Sequence, residues 1–84
     1  MFGRKDDRPP LDRALEAATG LKPGSWQSVE AYAMLAIEAH GRPEARRLYD
    51  DALHASRGLA SGSWESVRAL TWLSRAAREL GVAE

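Results

Sequence analysis

Apolar residues recur at helical spacing in four segments of the chain, with Gly, Pro and Ser between them. At 100° per residue, Leu11, Ala14, Leu15 and Ala18 fall on one stripe, and Ala45, Leu48, Tyr49, Ala52 and Leu53 on another. Both segments read as amphipathic helices with a single buried face. The second segment differs. Val29, Ala31, Tyr32, Ala33, Leu35, Ala36, Ile37 and Ala39 cover about two thirds of its circumference and leave Gln27, Glu30 and Glu38 as a polar strip. A helix patterned this way has to pack on more than one side. In the fourth segment the positions matching Ala33, Ala36, Ile37 and His40 are Thr71, Ser74, Arg75 and Arg78, which predicts a terminal, capping helix with helix 2 at the centre. No segment has the period-two alternation of a strand.

The punctuation places the boundaries. Pro9 and Pro10 open helix 1, where a missing N–H costs nothing, and Gly20 is expected to end it with a positive φ. Ser25 and Ser63 are N-cap candidates because a hydroxyl can accept a backbone N–H left unpaired in the first turn. Helix 2 is expected from Trp26 to about His40, and helix 3 from Pro43 to about Arg57. Helix 4 is expected from Trp64 to Leu80, stopping at Gly81.

The segments are two copies of one unit. Ala14 to Ala39 overlays Ala52 to Ala77 at a constant shift of 38 residues without a gap, and 13 of the 26 pairs are identical, against about two or three by chance. The predicted fold is therefore all-α, with four helices forming two tandem αα-hairpin repeats in a compact array or bundle. Repeat 1 takes about residues 9–42 and repeat 2 about 43–81 of a single domain spanning 9–84. Residues 1–8 have no counterpart in the repeat and read as a mobile tail.

A chain of 84 residues buries only about 60 to 65% of the surface its unfolded form exposes, so its core is thin. Twelve basic and twelve acidic residues cancel, which removes the long-range pull expected of a nucleic-acid or anionic-membrane binder. The absence of Cys excludes a disulfide framework and a thiol nucleophile. The first ten residues carry charges without an apolar run, so neither a signal peptide nor a membrane anchor is expected, and the cytoplasm is the default compartment.

The stretch from Ala31 to Leu53, AYAMLAIEAHGRPEARRLYDDAL, resembles a tetratricopeptide-type repeat. Gly41 stands at the turn, Ala45 and Tyr49 on the second helix, and Ala52-Leu53 after them. The resemblance covers about one unit and implies a stack of antiparallel helices that binds peptides or protein surfaces. It assigns no particular binding residues.

Trp26 and Trp64 occupy the same place in each repeat, directly after Gly-Ser, and are expected to lid the core of their own repeat. Met34 and Trp72 are also repeat-equivalent, and each projects about 100° from the centre of its core stripe among charged neighbours. Large apolar side chains in a polar strip mark a contact surface, so Met34, Trp72, Glu30, Arg68 and Arg75 form the candidate partner-binding site on helices 2 and 4. The competing expectation is that helix 1, helix 3 or the tail covers them.

Catalytic motifs are absent from the sequence, no cofactor or metal is implied, and no enzymatic activity is expected. His54 follows Asp50 and Asp51 by one turn, a spacing better explained by a solvated face than by a metal site. The expected role is a non-catalytic protein–protein interaction module that self-associates, as a homodimer for instance, or binds a partner protein. The alternative is a helix-turn-helix-like DNA-binding protein that presents Arg46 and Arg47 from helix 3. Nucleic acid is disfavoured by Glu44, Asp50 and Asp51 on the same helix, and the i,i+4 spacings of Arg46 to Asp50 and Arg47 to Asp51 suit an ion-pair lattice.

Overall fold

A computed structural model describes residues 7–82, so six of the eight residues expected to form a tail lie outside it. Four helices follow in chain order: α1 Pro10–Ala18, α2 Trp26–Glu38, α3 Glu44–Ser56 and α4 Trp64–Leu80. Among the described residues there is no strand, and no helix is long and apolar enough to cross a membrane. Local chemistry sets the helix starts. The Ser25 and Ser63 hydroxyls accept the backbone N–H of Ser28 (3.1 Å) and Ser66 (3.3 Å), capping α2 and α4 at equivalent positions. The Ser63 hydroxyl also donates to Glu65 Oε1 at 2.8 Å. That hydrogen bond, with one from Glu65's own backbone, holds the Glu65 carboxyl below its ordinary range. At the other end α4 closes on Gly81 with a φ of 72°, a left-handed turn that glycine adopts without Cβ strain.

Two boundaries differ from the sequence expectation. Gly20 does not carry the positive φ assigned to it; α1 ends at Ala18 with Thr19 as its C-cap in right-handed geometry, and a positive φ of 92° falls on Gly24. Helix α2 stops at Glu38, and Gly41 turns the chain at a φ of 92° before Pro43, which precedes α3 rather than belonging to it.

Packing makes α2 the centre of the array, in contact with each of the other three helices. Its buried surface is mostly methyl groups: Ala33, Ala36 and Ala39 are fully buried beside Val29. The main cluster joins these alanines to Ala45, Leu48, Tyr49 and Ala52 of α3 and to Leu73, Ala76 and Ala77 of α4. A second cluster joins Val29 of α2 to Ala55 near the end of α3 and Ala69 in the first turns of α4, with Trp26 and Leu59 against them. These contacts run α2 and α4 side by side in one direction with α3 antiparallel to both, so the second repeat is the first one displaced. The molecule measures 48 × 26 × 16 Å, and its short dimension is little more than the roughly 10–12 Å diameter of one helix with its side chains.

Helix α1 departs from the expected pattern. Of the stripe Leu11, Ala14, Leu15 and Ala18 only Ala18 is buried, Ala14 is exposed, and the two leucines are half-buried. Arg42 holds the helix to the α2–α3 turn through Asp12 at 2.7 Å, and the pairing raises the basicity of the guanidinium. In α3 the buried stripe is Ala45, Leu48, Tyr49, Ala52 and Ala55, while Leu53 stays 39% exposed. Replacing Leu48 by Ala is therefore expected to cost about 2–5 kcal/mol in urea unfolding. Leu53→Ala is expected to stay within about 0.5 kcal/mol of wild type. Equal losses would place α3 in a different rotational phase.

Candidate functional site

The candidate residues on α2 and α4 divide between two recesses and one ion pair. Glu30 and Arg68 are repeat-equivalent, and parallel packing of α2 and α4 brings them together: Arg68 Nη2 lies 3.0 Å and Nε 3.1 Å from Glu30 Oε1. Glu30 is nearly buried, whereas Arg68 is half exposed. The second carboxylate oxygen, Oε2, is buried and has no hydrogen-bond partner among the described residues. Further along α4, the Arg75 guanidinium lies over the Trp72 ring at 5.7 Å from its centroid. Trp72 is half-buried and its ring packs against the main cluster, so it is a wall of the core as well as a surface residue. Around it Arg68, Thr71, Ser74, Arg75 and Arg78 line a shallow polar recess.

Met34 stands elsewhere. It is 43% exposed and lines a groove of about 560 Å³ between α1 and α2. Leu11, Ala14, Ala17 and Leu21 form one wall of this groove, and Ala31, Met34 and Leu35 the other, with Glu38 as an acidic residue in the lining. The expected apolar stripe of α1 is thus the wall of an open groove. Its methyl groups face space, because the described part of α1 lies against α2 over only a short length.

A third surface escaped the sequence reading. Trp64, Val67 and Leu70 are 68%, 64% and 45% exposed, forming an apolar patch on the first half of α4. Trp64 does not lid the core as expected. Its counterpart Trp26 does, since α3 and α4 supply Ala55 and Ala69 beside it. The signal was present in the repeat itself: Trp64 and Val67 match Trp26 and Val29, and the latter pair is covered by the repeat that follows it.

The remaining candidates are ordinary surface chemistry. Arg46 pairs with Asp50 at 3.1 Å and lies 6.0 Å from the centroid of the Tyr49 ring. Among the described residues no group of three or more His, Asp or Glu side chains is placed to hold a metal ion. Comparison with protein-family models, with curated proteins and with solved structures finds no match to this chain.

The Glu30–Arg68 geometry makes a stability prediction. Arg68→Ala strands a nearly buried carboxylate and is expected to cost about 1–3 kcal/mol in urea unfolding. Combining Arg68→Leu with Glu30→Leu is expected to restore stability to wild type or above, because the desolvated charge is gone. A double variant weaker than Arg68→Ala alone would show that the pair itself holds α2 to α4.

Proposed function

We propose that this chain is a non-catalytic protein–protein interaction module of the cytoplasm, working through the α1–α2 groove and the exposed face of α4. The observation that carries the reading is the pair of apolar surfaces left exposed among the described residues of so small a fold: the α1–α2 groove containing Met34, and the Trp64–Val67–Leu70 patch on α4. Trp and Met are residue types enriched at protein contacts, and a groove between two helices suits an amphipathic helix laid along it. Charged residues accompany both surfaces: Glu38 lines the groove, and Arg68 follows Val67 on α4. Such charges give orientation and specificity more than affinity. The helix 3 alternative draws less support, since Arg46 is engaged by Asp50 and stacked near Tyr49.

Selection from a displayed library of helical peptides against the immobilised protein tests this reading. Enriched binders are expected to be amphipathic helices, and Met34→Glu, at an exposed position on the groove wall, is expected to weaken them at least about tenfold while helicity stays at the wild-type value. Absence of any enriched binder, or binders indifferent both to Met34→Glu and to Trp64→Arg, would contradict it.

A further inference from the structure

The second hydrophobic cluster consists of Val29, Ala55 and Ala69, with Trp26 and Leu59 packed against them. It seats the start of α2 on the end of α3 and the start of α4. Shifting each of its five members by the 38-residue repeat gives Val67, Ala17, Ala31, Trp64 and Leu21, and all five residue types are unchanged. Yet this second set is not assembled. Trp64 and Val67, the counterparts of the α2 half, stand on α4 with 68% and 64% of their surface exposed. Ala17, Leu21 and Ala31, the counterparts of the half that receives α2, line the open α1–α2 groove. The chain carries one complete copy of the cluster and one copy divided between its two ends.

Trp64, Val67 and Ala17 are exposed and Leu21 and Ala31 only partly buried, and each half has the composition of the other's missing partner. We infer that a second copy of this chain docks the face of its α4 into the α1–α2 groove, head to tail, rebuilding between molecules the junction that joins the two repeats within one. The inference rests on the interaction-module reading and names its partner.

Several other positions of the divided junction differ from the internal one by substitutions that compensate each other. Ile37 packs against the main cluster, to which Ala76 belongs. At the outer junction those two positions hold Arg75 on the docking face and Glu38 in the groove, an opposite-charge pair. Ala33 and Ala36 on α2 correspond to the larger Thr71 and Ser74 on α4, whereas Leu48 and Tyr49 of the internal seat correspond to the smaller Pro10 and Leu11 in the groove wall. Volume added on one side is removed from the other. The polar second half of α4 therefore does not close the array. It faces a groove that carries Glu38 where the internal seat has Ala76.

Face and groove are different surfaces, so the contact is heterologous and continues from copy to copy unless the rotation closes a ring. Sedimentation velocity and light scattering on the intact chain, from micromolar to millimolar concentration, test this. Wild type is expected to grow beyond a dimer. Val67→Glu, which blocks the face, and Ala17→Glu, which blocks the groove, are each expected to weaken association at least about tenfold. Both positions are exposed, so circular dichroism is expected to match wild type; if Ala17→Glu loses helix, Ala14→Glu on the same wall replaces it. An equimolar mixture of the two variants is expected to form a one-to-one complex, because each retains the surface the other lacks. A wild-type monomer at every concentration would overturn the inference. So would a dimer that survives Ala17→Glu, which marks a symmetric α4 contact, or a mixture that stays monomeric. Peptide binding by a protein that never self-associates would refute this inference alone, while loss of both would refute the interaction reading as well.

Discussion

The near approach of three helices around α2 is possible because α2 offers them methyl groups. Ala33, Ala36 and Ala39 are fully buried, and they allow α3 and α4 to close on adjacent faces without a gap. A larger side chain at these positions would push one neighbour away. The same choice limits stability, since a buried methyl group contributes only roughly 0.8 kcal/mol and large core residues are few. Leu48, Tyr49 and Leu73 supply most of the bulk in the main cluster. Two serine caps and the Gly81 turn then matter more than they would in a thicker domain, because helix ends form a large share of a fold only 16 Å deep.

Displacement of one hairpin by the 38-residue repeat has a second consequence. Trp64 and Val67 on α4 are the exposed counterparts of Trp26 and Val29, which the following repeat covers, and Ala14 and Ala17 on α1 are the exposed counterparts of the buried Ala52 and Ala55 of α3. A repeat array deals with this by making its outer faces polar. Here the treatment is partial: Thr71, Ser74, Arg75 and Arg78 make the second half of α4 polar, while Trp64, Val67 and Leu70 in the first half stay apolar. On the opposite edge the α1 wall keeps Leu11, Ala14 and Ala17, with Glu38 as an acidic residue in the groove lining. The surfaces available for recognition are thus products of the repeat, and their chemistry is its unspent half.

Helix number, helix type, the central place of α2 and both serine caps were legible in the sequence, because periodicity and turn chemistry act locally. The stripe of α1 was legible as a pattern but not as a buried face. An amphipathic helix announces that it can pack, and only tertiary placement says whether anything arrives; Ala14 and Ala17 are exposed for that reason. Leu53 was assigned to the core ahead of Ala55, an ambiguity inherent in neighbouring positions at the edge of a stripe. The Glu30–Arg68 contact follows from parallel packing of equivalent positions, and that packing made two of the candidate residues meet. Met34 and Trp72 separated into different recesses because α1 flanks only the first of them. The Trp64 patch was missed by judging each tryptophan within its own repeat, when the cover over Trp26 comes from the next one.

The most direct measurement is a dilution series of ¹H–¹⁵N spectra that follows the indole N–H signals of Trp26 and Trp64 with the backbone amides of Ala17, Leu21 and Ala31. At low concentration Trp64 is predicted to be solvent-exposed and distinct from Trp26. As concentration rises, the Trp64 indole is predicted to become protected together with the three groove amides, while Trp26 stays unchanged, because a divided cluster closes at both halves at once. A Trp64 already protected at the lowest concentration, or shifts confined to α4 with the groove unmoved, would contradict the account.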